Sequence, residues 1–346
     1  MSKFAVRPVR ISEVKPHPNA DALELAMVEG SLYQVVVKKG WCQPGDARLY
    51  VPLDAVIPVE VSDRWGVTKY LSKARVRAAR LRGETSYGFL TDVEEVSGDS
   101  GPRVPDVGED VAAVYGITKY EQPMTLSGEQ APPIDAFHRY TDIENRHGFP
   151  DLIEDGEEVV VSEKIHGTNA RAGYVLGEDG PMFACGSHNL RIHRDQNSTY
   201  EMPLLMECVE ALLTSFEPRI EDGKAVDETI LFGEIYGPGV QRGFTYGVGK
   251  PQFRAFDIAV GREYLDWDAF IELCDRFDVP VVPVLYRGPF DADRVAELLA
   301  GPTTLDGDHI REGVVIRPVV ERFNQATDRT ILKWKSDDYL VHKHGG

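Results

Sequence analysis

The chain has 346 residues, enough for two or three domains, and its 42% hydrophobic content is that of an ordinary globular protein able to bury cores. No apolar run approaches the roughly 20 residues that span a membrane, and the N-terminus lacks the apolar segment of a secretion signal. The formal charge of −18 disfavours a nucleic-acid partner only if it is evenly spread, and it is not: 16 Lys and Arg face 16 Asp and Glu in residues 1–120, leaving 22 against 40 in 121–346.

The first 120 residues read as short strands and turns. Leu32-Tyr33-Gln34-Val35-Val36-Val37 and Ala47-Arg48-Leu49-Tyr50-Val51 are strand candidates, punctuated by Gly40, Pro44 and Gly45. This pattern predicts a small barrel or sandwich. The segment His17-Pro18-Asn19-Ala20-Asp21-Ala22-Leu23-Glu24 resembles the opening of OB-fold tRNA-binding domains; it is equally a turn capped by Asn19 and Asp21. Residues 64–82 carry Arg64, Lys69, Lys73, Arg75, Arg77, Arg80 and Arg82 with no acid among them. In a strand Arg75 and Arg77 share one face, and Trp65 and Tyr70 could stack on bases. Such a run in a domain of zero net charge predicts phosphate contact rather than a merely solvated face.

Residues 121–134, polar and rich in Pro and Gly, read as a linker. It separates an all-β domain, 1–120, from an α+β domain with largely antiparallel sheets, 135–346. In the second domain helical spacing runs over Met202–Leu213, Trp267–Phe277 and Asp291–Leu299. Cys42, Cys185, Cys208 and Cys274 are too widely spaced for a disulfide framework or a zinc site, so a reducing cytoplasm is expected.

The most chemically telling stretch is Glu163-Lys164-Ile165-His166-Gly167-Thr168-Asn169, between two strand-like runs. A lysine held beside a tight loop becomes a nucleophile if burial and cationic neighbours lower its pKa. Further on, Phe232-Gly233-Glu234 ends an apolar strand and Phe256-Asp257-Ile258 sets an aromatic beside an acid. Glu312-Gly313-Val314-Val315-Ile316 places a carboxylate at the mouth of a strand, and Lys333 and Lys335 alternate on one strand face, roughly 7 Å apart. Singly each has a bland reading: a surface lysine, a turn-capping His166, a solvated Glu, a core Phe256, an edge strand guarded by lysines.

In this order the five clusters resemble the covalent nucleotidyltransferase superfamily of RNA ligases, DNA ligases and capping enzymes. Lys-Ile-His-Gly-Thr-Asn is most similar to the RNA ligase 2 branch, and an OB-like domain in front resembles the Deinococcus-type RNA ligase. The resemblance implies an ATP-grasp-like ligase domain and an ATP-dependent enzyme. By that resemblance it would seal a 3′-hydroxyl to a 5′-phosphate at a nick in a duplex whose 3′-hydroxyl strand is RNA. Lys164 would take AMP from ATP, with Glu163, Ile165, His166, Thr168 and Asn169 around the nucleotide. Glu234 would bind the ribose and Phe256 would stack on adenine. Glu312, with Glu234, would assist magnesium or manganese or orient the lysine; Lys333 and Lys335 would hold the phosphates. The family's second motif usually ends in an arginine; here Cys185-Gly186-Ser187-His188-Asn189-Leu190-Arg191 puts His188 there, leaving His188 or Arg191 for that contact. Two alternatives stand against an RNA ligase: a GTP-dependent capping-type guanylyltransferase, and a non-catalytic tRNA- or RNA-binding protein. A monomer is expected.

Overall fold

The structure, a computed structural model, describes residues 4–98, 101–121, 128–194, 198–222 and 224–342. Residues 122–127 of the expected linker and the histidine-containing tail from 343 onward lie outside the described residues. The chain divides into two compact units. One comprises Met1–Pro123, Glu144–Leu152 and Asp337–Gly346; the other comprises Met124–Ile143 and Ile153–Ser336.

The first unit is built on a five-stranded antiparallel sheet, in the order Gln34–Lys38, Leu23–Val28, Arg7–Pro16, Ala47–Val51, Phe89–Thr91. Alternation along Arg7–Pro16 turns Val9 and Ile11 inward, against Val28, Val35 and Val37. A second cluster gathers Leu49, Val51, Ile57 and Val111. His17 is buried; one ring nitrogen meets the Leu81 carbonyl at 2.9 Å and the other accepts from the Asn19 N–H at 3.1 Å. The His17 ring thus pins the turn that opens this segment, and the Asn19 side chain reaches the Arg82 carbonyl at 3.0 Å rather than capping it.

The basic run is not one strand face. Arg64 closes the helix Val59–Arg64, Lys69 lies in the short 3-10 turn Thr68–Tyr70, and residues 76–78 have no regular structure. Arg75 and Arg77 therefore do not share a strand face. Acids distant in sequence partner several of these cations: Arg64 with Glu94 at 3.2 Å, Arg75 with Asp54 at 2.5 Å, Arg80 with Asp338 at 2.9 Å. Trp65 is not presented for stacking either. Its ring meets Phe89 and Tyr115 edge-on and its Nε1–H donates to Glu94. Tyr70, by contrast, is 75% exposed, and Lys69, Lys73 and Arg82 are exposed as well.

The second unit holds two antiparallel sheets. One runs Arg191–Ile192, Gly180–Ser187, Thr168–Gly177, Thr229–Tyr236, Gln252–Val260, Glu263–Tyr264; the other includes Leu332–Lys335, Gly313–Pro318, Glu158–Glu163, Val284–Pro289. Glu158–Glu163 is central, which is why its Val159-Val160-Val161 run is uninterrupted rather than alternating. The helix Trp267–Arg276 buries Trp267, Phe270, Leu273 and Cys274, the i, i+3, i+6, i+7 face of the expected spacing. The expected Met202–Leu213 helix is instead a 3-10 turn, Thr199–Leu205, followed by a helix Glu207–Thr214. Pro203 inside the turn supplies no N–H donor, so a continuous helix cannot form there.

A largely buried ionic network links the two sheets. Asp257 pairs with Arg317 at 3.1 Å and with Arg329 at 2.8 Å, accepts from the Tyr140 hydroxyl at 2.8 Å, and Arg329 continues to Glu321 at 2.6 Å. Among the described residues no helix is long and apolar enough to cross a membrane.

Candidate active site

Lys164 follows directly on the strand Glu158–Glu163, and its own N–H donates to the Gly313 carbonyl at 3.0 Å. The backbone at the base of the side chain is thus fixed. Beyond it the loop turns against the neighbouring strand: the Gly167 N–H donates to Glu234 Oε1 at 3.0 Å, and the Gly167 carbonyl accepts from Gln241 Nε2 at 2.9 Å. A β-carbon on Gly167 would run into the Ile235 carbonyl. Glycine is needed here for close approach, not for a left-handed turn. The His166 N–H donates to the Tyr246 hydroxyl at 2.6 Å, and its ring meets Phe244 edge-on.

Glu312 is the hub. One carboxylate oxygen stands 3.3 Å from Lys164 Nζ and 2.9 Å from Lys335 Nζ, and the other stands 3.3 Å from His166 Nδ1. Burial alone would push the Glu312 carboxyl up, but the two ammonium groups and His166 hold it well below the usual range. Glu234 has weaker compensation: burial, with the Glu312 charge nearby, pushes it up to about 7 despite Lys164 and the Gly167 N–H.

Lys164 itself departs from the sequence expectation. Burial pulls its pKa down, but Glu312 and Glu234 outweigh that, and the amine sits above its ordinary value. The groups nearest the lysine are carboxylates, with the cation Lys335 on the far side of one of them. The protein's own charges therefore keep Lys164 protonated, and an incoming anion must redistribute them before the amine can attack.

Lys164 opens into a pocket of about 260 Å³ between the two sheets. Glu163, Ile165, Asn169, Glu234, Phe256 and Lys333 all line it. Phe256 reaches it through a β-bulge. Phe232 pairs with Asp257 and Gly233 with Ala255, so Phe256 is the extra residue and the bulge re-aims its ring. The Asn169 amide oxygen is buried with no hydrogen-bond partner among the described residues, a group that asks for a ligand donor. Lys333 pairs with Val315 and Lys335 with Gly313, which keeps both lysines on one strand face.

Not every expected residue reaches this pocket. The Thr168 hydroxyl is 3.0 Å from the Tyr200 hydroxyl, and neither Thr168 nor Arg191 is among the lining residues. His166, Glu312 and Lys335 do not line it either; they form the ionic cluster that meets Lys164 through Glu312. Arg191 Nη1 donates to the Pro132 carbonyl at 2.7 Å. His188 does line the pocket, 3.5 Å from Asp142, so of the two second-motif candidates the histidine faces the cavity. Burial lowers the His188 pKa below its ordinary value. The seven basic residues of 64–82 belong to the first unit and are not part of this cavity.

Sequence reasoning missed Tyr140, Asp142, Trp267 and Arg317, which also line the pocket. It also missed Thr303 and Thr304, which bond the Glu163 carboxylate. Only the apolar-to-charged alternation around Arg317 carried any signal; the others lie far away in sequence or in irregular segments.

A largely β first unit, with one short helix at Val59–Arg64 in place of the all-β domain expected, and a two-sheet second unit whose lysine is seated against paired carboxylates fit a ligase. Residues 157–335 match the RNA ligase family and residues 5–93 match an OB-fold domain. The chain belongs to the RNA ligase family. It is similar to solved structures of Naegleria gruberi RNA ligase. A mutant without ligand is 23% identical, with all of both chains covered and a TM-score of 0.77. A mutant with ATP and Mn is 23% identical, covers 99% of each chain and also has a TM-score of 0.77. A complex with PPi is 23% identical, with 99% of each chain covered and a TM-score of 0.76. At this identity the likeness shows a shared fold.

Proposed function

We propose that this family member is an ATP-dependent RNA ligase working through an AMP-carrying Lys164. The observation that carries the proposal is the convergence of Lys164, Glu234, Phe256, Lys333 and the Asn169 oxygen, unpartnered among the described residues, around one pocket, with Glu312 joining Lys164 to Lys335 beside it. The Naegleria fold neighbours were solved with ATP and Mn and with PPi, the reactant and leaving group of such a step. The Lys164 lone pair attacks the α-phosphorus, a P–N bond forms, and the bond to the β-phosphate oxygen breaks to release pyrophosphate. AMP then passes to a 5′-phosphate, and a 3′-hydroxyl attacks that activated end and expels AMP. Splitting one condensation into displacements is the gain of covalent catalysis.

The chain's own groups divide the work. The Phe256 ring offers a stacking face for the base, and Glu234 and Asn169 offer hydrogen-bond partners to the nucleoside. Lys333 and Lys335 meet phosphate charge. As a triphosphate engages Lys335, Glu312 loses one of its two ammonium partners. Glu234, with its raised proton affinity, is the more capable acceptor of the two carboxylates for the Lys164 proton. Among the described residues no three His, Cys, Asp or Glu gather as a metal cage. The donor set of Glu234 and Glu312 suits magnesium or manganese, which needs only one or two carboxylates beside substrate phosphates. Such an ion would neutralise phosphate charge.

RNA is held by the first unit in this reading, chiefly through the exposed Lys69, Tyr70, Lys73 and Arg82, because the second half of the chain is strongly acidic. The test is intact mass after incubation with ATP and magnesium, in parallel with GTP. One added AMP, absent in Lys164→Ala, supports the proposal. An added GMP moves the enzyme to the capping class, and no adduct with either, once carried-over AMP is stripped, refutes it.

A further inference from the structure

The carboxylate next to the nucleophile is held by a segment that no motif includes. Glu163 is 2% exposed and accepts from Thr303 Oγ1 at 2.5 Å, Thr304 N–H at 2.7 Å and Thr304 Oγ1 at 2.6 Å. Arg311 Nε adds its charge at 3.6 Å. The Leu305 N–H donates to Thr303 Oγ1 at 3.2 Å, which leaves that hydroxyl's proton for Glu163. The segment is itself closed: Thr303 N–H donates to the His309 carbonyl, Arg311 N–H to the Gly301 carbonyl, and the Arg311 guanidinium to the Leu298 and Pro302 carbonyls.

Two consecutive residues on one side thus pair with two on the other: Glu163 with Arg311, and Lys164 with Glu312. Glu163 ends its strand and Lys164 is the next residue, so anchoring the Glu163 side chain fixes the backbone from which the Lys164 side chain leaves. A buried carboxylate without donors is costly. Stripped of its hydroxyl partners, Glu163 would keep only Arg311 at 3.6 Å and would be free to turn toward the adjacent Lys164, which already has two carboxylates beside it.

We propose that Thr303 and Thr304 are positioning residues for the lysine step: they tie the Glu163 carboxylate to their own segment, so that Lys164 keeps its aim into the pocket. The inference rests on the assignment of Lys164 as the nucleophile. It deepens that reading by adding residues that touch neither nucleotide nor lysine.

The experiment is single-turnover formation of the Lys164 adduct by the full chain over a series of ATP concentrations with magnesium. A Thr303→Val/Thr304→Val pair keeps shape and loses both hydroxyls; a Thr303→Ser/Thr304→Ser pair keeps both hydroxyls. The valine pair is expected to lose about tenfold or more in maximal rate with ATP half-saturation within about threefold, since misaimed groups cost rate rather than ground-state binding. The serine pair should stay within about threefold of wild type. A valine pair as fast as wild type overturns the inference, as does a serine pair as slow as the valine pair, which would mean packing alone. If the valine pair lacks cooperative melting, Thr304→Val against Thr304→Ser replaces it. Equal rates there overturn the inference, and a loss in the valine variant alone supports it. A wild-type chain that forms no adduct overturns the Lys164 assignment and this inference with it.

Discussion

Replacing Glu312 by glutamine should release Lys164 from its charged state. The carboxylate oxygen lies 3.3 Å from the lysine nitrogen. At an effective dielectric of ~20, a unit pair at that distance is worth about 5 kcal/mol. The Lys164 side chain is 24% exposed, so solvent screening leaves roughly half of this. About 2.5 kcal/mol corresponds to a factor of ~60 in the neutral fraction at fixed pH. The sign follows from the pairing: Glu312 stabilises the ammonium form, so its removal favours the amine, and Lys335 then repels Lys164 without a carboxylate between them. The assay is site-resolved acylation by peptide mass spectrometry, with exposed Lys69 as internal standard. The Lys164-to-Lys69 labelling ratio below pH 9 should rise at least about tenfold in Glu312→Gln. A ratio that stays within about twofold, or falls, would refute the charge assignment at the centre of the site. Greater amine reactivity need not bring faster adenylylation, because His166 and Lys335 lose their common partner too.

The other expectations concern separate parts of the molecule. Glu234, pushed up to about 7 from an ordinary carboxyl value, holds its proton more tightly in the fold than in the unfolded chain. Its contribution to stability is therefore complete below about pH 4.5 and fades as pH rises through 7; chemical denaturation should show this decline in wild type and a flatter profile in Glu234→Gln. Arg329→Met leaves Asp257 and Glu321 short of a buried partner and should cost about 3–5 kcal/mol by denaturant titration; less than about 1 kcal/mol would mean the network reorganises freely. Replacing Lys69, Lys73 and Arg82 together by Ala should spare AMP transfer to Lys164 and reduce the slope of log affinity for RNA duplex against log salt by about 2–3. An unchanged slope would remove this surface from RNA binding.

Much of the site was legible because its residues are local in sequence. Glu163 to Asn169 is one uninterrupted segment, Glu312 sits at the mouth of a strand, and Lys333 and Lys335 sit at strand positions that alternation predicts. The order of the clusters carried the family, and the antiparallel character of both sheets followed from short apolar runs between turns. What was not legible depends on where charge ends up. The basic run 64–82 contains no acid, yet Glu94, Asp54 and Asp338 arrive from elsewhere to pair with three of its members. Lys164 was expected among cations and stands instead against Glu312 and Glu234.

The sequence by itself determined the elements and the chemical types: a lysine just beyond an apolar strand, carboxylates on or beside neighbouring strands, and two lysines on one face. Those follow from periodicity and local backbone preference, which act over a few residues. Tertiary structure alone decided the bulge that re-aims Phe256, the choice of His188 rather than Arg191 at the pocket, and the Thr303–Thr304 hold on Glu163. Each depends on register or on a contact across many residues. Coulomb and hydrogen-bond energies fall with distance in space, and distance along the chain does not report it.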